Sequence, residues 1–338
     1  MTSRLQWLFT RDEMPRGLWP IEWLALAYSA LTTVIMLFLW DRMQHPAEML
    51  THRIAIAAGT LLVWQIYRLL PVRIMTFVRI TVQMSLLGFW YPDTYEFNSV
   101  LPNLDHVFAG LDHAHFGCQP ALVFSRMCPW PWFSEAVNMG YFSYYPMIIA
   151  VMVWFFLQRN DRYERASFIV MCSFLIYYLI YISLPVAGPQ FYFCAVDLSQ
   201  IEAGVFPDIG TWFSTHTDIL PAPGYPDGLF YRLVNFAQES GERPTAAFPS
   251  SHIGITLILL YLVYPQSKRF FFCLLPFALL LGMATVYIQA HYLVDAIAGV
   301  VSSVLVFMLS KTVCRLCLPS ASVNTRTNCR PETRAGAK

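Results

Sequence analysis

Eight stretches of this chain, each close to twenty residues and nearly free of charge, must leave water before the chain can fold. They run over 21–40, 53–69, 74–91, 134–157, 166–186, 248–264, 270–288 and 290–310. A helix rises about 1.5 Å per residue, so about 20 apolar residues cross the ~30 Å hydrocarbon core of a bilayer. Inside that core each backbone N–H and C=O must be satisfied within its own segment, which leaves helices for runs of this kind. The chain is therefore expected to be an all-α integral membrane protein with about eight transmembrane helices. Composition agrees: 57% of the residues are hydrophobic and 13% are charged, about half the charged share of a soluble domain. A net charge of +1 gives no electrostatic ground for a nucleic-acid partner. The first run is long and lacks a small-residue cleavage site, so it reads as a retained anchor.

The runs divide the chain into N-terminal spans with a polar, aromatic loop (1–133), a helical core (134–310) and a polar tail (311–338). Basic residues segregate by side. Sixteen of the 22 fall before the first run, in every second connection and in the tail, among them Arg159, Arg162, Arg165, Lys268, Arg269, Lys311 and Arg315. The positive-inside rule makes that side cytoplasmic, with both termini on it. The two long connections, 92–133 and 187–247, then face the periplasm, the exterior or a lumen. The outer basic residues are Arg42, Arg53, Arg126, Arg232 and Arg243, with no lysine; Arg79 lies inside a run beside Gln83 and is expected to pair with it or with a neighbouring helix.

One pair of runs carries chemistry. Arg243-Pro-Thr-Ala-Ala-Phe-Pro-Ser-Ser-His252 opens the sixth run, and His291-Tyr-Leu-Val-Asp295 opens the eighth. A down-and-up passage between them brings both histidines to one face, and the four-residue spacing puts His291 and Asp295 on one side of a helix. One imidazole can act as nucleophile, a carboxylate can orient it, and the second imidazole can protonate a leaving oxygen. That set suits displacement at phosphorus, with His291 attacking and His252 as acid. Ser250, Ser251 and the amides opening the sixth helix would hold phosphate oxygens, and Pro249 would sit in its first turn. No metal and no cofactor is required.

Pro249-Ser-Ser-His252 and His291-Tyr-Leu-Val-Asp295 resemble the Pro-Ser-x-His and His-x-x-x-Asp motifs of the type 2 phosphatidic acid phosphatase superfamily. The resemblance implies a six-helix core, an outward-facing site and a phosphohistidine intermediate, with His252 as general acid, His291 as nucleophile and Asp295 as its partner. The family's first motif carries Lys and Arg; here Pro185-Val-Ala-Gly-Pro-Gln190 stands in that place, and Thr285 stands where an arginine usually precedes the third motif. The Phe-Pro-Ser-x-His and His-Tyr-x-x-Asp forms, with Gln119-Pro120 after Phe116-Gly117, are more similar to the branch containing inositol phosphorylceramide synthase. That branch implies headgroup transfer between lipids, with sphingolipid as a substrate class. With so few cations, Arg243 is the first candidate for the phosphate and Arg232 the second, and a singly charged phosphodiester suits the site better than a monoester.

Gln190 and Asp105 are further candidates for substrate contact. The polar loop holds Asp105-His106 and Asp112-His113-Ala-His115, which lack a third ligand set for a metal. They read as a cover over the site, with Asp105 or Asp112 bonded to a catalytic group or a substrate hydroxyl. Tyr141, Tyr144 and Tyr145 read as interfacial packing that can also line a headgroup pocket. Cys118, Cys128 and Cys194 face outward, where a disulfide can form; Cys118 with Cys128 is the obvious pair. Cys314 and Cys317 suit palmitoylation better than metal. Partners are lipid substrates in the bilayer, and an oligomer is compatible with this reading. The rival readings are a lipid phosphate or polyprenyl diphosphate phosphatase with water as acceptor, a membrane relative of the vanadium haloperoxidases, and a non-catalytic lipid-binding or transport protein.

Overall fold

A computed structural model describes residues 6–12 and 17–318, apart from the side chains of 239 and 240. Arg4, Arg16 and the tail from 319 to 338 lie outside them. The apolar runs do form helices, numbered here from Pro20. Three long ones come first: α1 (Pro20–Leu39), α2 (Pro46–Leu69) and α3 (Arg73–Asn98). The polar loop carries two short helices, α4 (Asp105–Phe116) and α5 (Pro120–Met127). Next are α6 (Pro131–Phe142), α7 (Tyr144–Gln158) and α8 (Asn160–Ser183). The second long connection holds α9 (Pro189–Val196), α10 (Leu198–Glu202) and α11 (Leu229–Gly241). The chain closes with α12 (Ser251–Val263), α13 (Lys268–Tyr287) and α14 (Leu293–Cys317). No strand occurs among the described residues, so the all-α membrane fold holds.

The count of spans changes. Six helices are long and apolar enough to cross a membrane: α1, α2, α3, α8, α13 and α14. The α6–α7 pair, bent by 46°, makes seven if it counts as one span. Pro146 lies in the first turn of α7, where its missing N–H leaves the carbonyl four residues back without a helical partner. The remaining expected span, the sixth run, is α12, which has 13 residues and reaches only about 20 Å. Hydropathy over-counted it because Phe248 and Pro249 are apolar but lie ahead of the helix, and 264–266 leave it in turns. Pro249 thus precedes α12 instead of sitting in its first turn. At the other end α14 runs past 310 to Cys317, so the polar tail starts later than expected.

α8 is the axis of the bundle. Of its most apolar window 78% is buried, against 17–33% for the other five long helices. It packs on α1, α3, α7, α12 and α14, and of these α1, α7 and α14 turn large apolar side chains outward, as lipid-facing helices do. Arg79 and Gln83 do not pair with each other. The Arg79 guanidinium meets Glu22 of α1 and lies 4.1 Å from the Trp19 ring, while Gln83 reaches Thr60 of α2. Arg53 of α2 is likewise buried on Asp93 of α3 at 2.7 Å. A charge in this medium is tolerated because its partner is buried beside it.

The Cys118–Cys128 disulfide is not formed; all seven described cysteines are free. The two flank the eight-residue α5, whose length of about 12 Å exceeds the ~7 Å that a disulfide can bridge between Cα atoms.

Candidate active site

α12 and α14 both begin at one end of the bundle, where α13 ends, so the down-and-up passage brings the two histidines together as expected. His291 Nε2 lies 3.4 Å from His252 Nδ1. The His252 ring sits among aromatics: 4.9 Å from Tyr141 and 24° from parallel with it, and 4.5 Å from Tyr144. The tyrosines opening the fourth run therefore line the His252 ring, except Tyr145, which is exposed.

His291 is oriented by a group with no side-chain signature. Its Nδ1 lies 2.8 Å from the backbone carbonyl of Ala247. A carbonyl only accepts, so Nδ1 carries the proton and Nε2 keeps its lone pair, aimed at His252. Asp295, the expected orienter, stands 3.8 Å from Nδ1. One of its oxygens accepts the Tyr292 amide at 2.9 Å, so its first task is to cap α14. Its other oxygen is buried and has no hydrogen-bond partner.

A cavity with a free volume of about 20 Å3 opens on this pair, lined by Tyr91, Tyr141, Gln190, Glu242, Arg243, Ser251 and both histidines, among others. That is room for about one water, so an entering phosphoryl group must displace the histidine–histidine contact. Of the five outer arginines, Arg243 alone lines it. Arg232 is at the surface with Asp227, and Arg126 is with Glu202. Ser251 lines the cavity; Ser250 is fully buried behind it, its hydroxyl without a partner. The amides of both serines are already used, Ser250's on the Asp295 carbonyl and Ser251's on the Tyr181 hydroxyl. Gln190 reaches the cavity wall, but its side chain is held by Gln238 at 3.1 Å and by the Leu220 carbonyl at 3.1 Å.

Asp105 does not reach the cavity. It is fully buried, accepting from the Ala187 and Gly188 amides at 2.7 and 2.8 Å, from Asn103 at 2.6 Å and from the Tyr292 hydroxyl at 3.0 Å. Gly188 has φ +99°, a conformation open to glycine, which lets both amides turn to one carboxylate. Burial raises the Asp105 carboxyl to about 6, against the pull of those four hydrogen bonds. Asp112 accepts from the amides of Leu293 and Val294, both at 2.9 Å. The polar loop thus braces α14 and the loop after α8. Among the described residues it groups no three metal-ligating side chains.

Glu242 was not signalled by any motif. It lines the cavity and accepts from the Tyr141 hydroxyl at 3.2 Å. Burial raises its carboxyl, countered by the Tyr141 bond and by His291. Its adjacency to Arg243 is the one sequence cue it had. His291 is pushed down to about 4 by burial, against the Ala247 bond and the nearby Glu242, both of which raise it. A nucleophile must be neutral, so the acid limb that protonation of His291 imposes on kcat/KM should lie around the shifted value of about 4. An ordinary histidine would lose activity near 6.5. A pH–rate profile with its acid limb near 6.5 would contradict this placement of His291.

Comparison with curated proteins and with solved structures brings no significant match. A family model does match, described as PAP2 superfamily, over residues 106–309. That span is more than half the chain and takes in α4, Glu242, Arg243, both histidines and Asp295. The chain belongs to the PAP2 superfamily, whose members are phosphatases or phosphotransferases, and is in kind a membrane enzyme of lipid phosphoryl transfer.

Proposed function

We propose that the enzyme moves a phosphate-linked headgroup from one lipid to another through a phosphohistidine, in the manner of inositol phosphorylceramide synthase. The observation that carries the chemistry is the His291 tautomer: Nδ1–H held by Ala247 and the Nε2 lone pair pointing at His252. In the first step Nε2 attacks phosphorus, the bond from phosphorus to the leaving oxygen breaks, and His252 gives that oxygen its proton. In the second step His252 takes the proton of an acceptor hydroxyl, the hydroxyl oxygen attacks phosphorus, and the N–P bond breaks. The bound phosphate anion favours the protonated His252 that the first step needs. Asp295 steadies the charge that forms on His291.

The cavity wall supports a diester donor. Apart from the histidines, its formal charges are one guanidinium, Arg243, and one carboxylate, Glu242. A monoester dianion would leave more charge uncompensated than a diester monoanion. The basic side of the chain gives cytoplasmic termini and a site on the opposite face.

The test is labelled phospholipid donor with ceramide, other acceptor alcohols, or water alone. Lipid product carrying the labelled headgroup is expected. Release into water at the same rate with and without acceptor would make the protein a lipid phosphate or polyprenyl diphosphate phosphatase. Within that assay Glu242→Gln should lower the diester-to-monoester ratio of kcat/KM by about tenfold or more, since one negative charge is removed beside the phosphate. Glu242→Asp should keep the ratio.

A further inference from the structure

We propose that the end of the bundle opposite the catalytic cavity holds one anionic phospholipid. Its phosphate would lie among Arg162, Arg165, Lys311 and Arg315, and its acyl chains would lie between α7, α8, α12 and α14. A cavity of about 500 Å3 lies there. Its rim is basic: Arg162 and Arg165 come from the first turns of α8, Lys311 and Arg315 from the last turns of α14. Asp161 is the one acidic residue that lines it. Its floor is apolar, made by Phe155, Ile169, Leu262 and Phe307 with the ring of Tyr261.

Charges of one sign are common at one end of a membrane protein, and most face water singly. Here four converge from two helices on one concavity. The protein neutralises them only in part, with Glu164 near Arg165 and Asp161 near Arg162. Arg162 lies 3.5 Å from an Asp161 oxygen in an exposed pair, which is worth little in water. Arg165 spends one Nη on the Leu318 carbonyl, and Lys311 stands 5.6 Å from the Phe307 ring. The cluster therefore seeks an anion. The floor decides which one: a free phosphate would leave it uncovered, whereas a diacyl lipid fills rim and floor together. Basic pockets between transmembrane helices recognise anionic headgroups in this way. The inference does not depend on the reaction at the other end.

The probe is dioleoyl phosphatidylglycerol against dioleoyl phosphatidylcholine, with retention on the purified full-length protein read by native mass spectrometry. Preferential retention of one phosphatidylglycerol is expected. The double variant Lys311→Gln with Arg315→Gln changes two exposed side chains of α14 and should lower the preference by roughly thirtyfold, about fivefold for each cation. Equal retention of the two lipids by the unaltered protein would overturn the proposal. So would an undiminished preference in the double variant, which would put the lipid at the catalytic cavity. An excess of inorganic phosphate should not displace the lipid; full displacement would mark a site for free phosphate and also overturn it.

Discussion

Replacing His291 with alanine should lower turnover by at least a thousandfold and remove the base-stable, acid-labile label that the donor's phosphate leaves on the enzyme. The group lost is the attacking atom itself, and no other side chain on the cavity wall offers a neutral nitrogen with a lone pair facing His252. Removing one member of a unit that acts together costs most of what the whole unit supplies. The structural cost is smaller. His291 makes one hydrogen bond to Ala247 and one contact to His252, and the surrounding loop is held independently by the Gln190 amide on the Gln289 carbonyl. Elution in detergent should therefore match the unaltered protein while labelled phosphate on the enzyme, trapped by rapid denaturation in base, disappears. Turnover within tenfold of normal would remove His291 from the role of nucleophile.

The second large effect is expected at Arg243. It is the only arginine that lines the cavity, and it is exposed, with no ion pair found to it among the described residues. A phosphoryl group entering a poorly solvated space needs a charge-assisted donor, and removal of one such donor typically costs about a hundred- to a thousandfold. Arg243→Gln should lower kcat/KM by about that factor on diester and monoester donors alike, with little change in thermal stability because the side chain is exposed. Arg243→Lys should recover only part of the loss, since an ammonium carries the charge without the planar fork. Activity within about threefold of normal in Arg243→Gln would mean that the phosphate is held elsewhere, by amides and hydroxyls of the wall. The two charged neighbours are thus separable: Arg243 governs the rate on any donor, Glu242 the choice between donors.

Much of this protein could be read along the chain. A run of apolar residues has one way to satisfy its backbone in hydrocarbon, so the helices announce themselves from local composition. The spacing of His291 and Asp295, and the hairpin joining them to His252, are also local geometry, which is why the histidines were placed together correctly. Depth and length were harder. The α12 run looks like a full span because Phe248 and Pro249 are as apolar as the helix they precede, yet they continue the loop that delivers the Ala247 carbonyl.

What the chain alone could not disclose is who holds what. Spacing pairs Asp295 with His291, but a backbone carbonyl 44 residues upstream accepts the imidazole N–H. Asp105 reads as a substrate contact along the chain, but four donors, one from nearby Asn103 and three from two distant segments, bury it as a brace. Glu242 and Tyr141 meet only because α6 and the loop after α11 converge on one cavity. The helices, the two motifs and the scarcity of cations are legible along the chain, because they depend on residues near one another or on simple counts. The tautomer of His291, the span count and the carboxylate beside Arg243 on the cavity wall emerge only in three dimensions. Those depend on backbone atoms and long-range contacts, for which no residue type carries a mark.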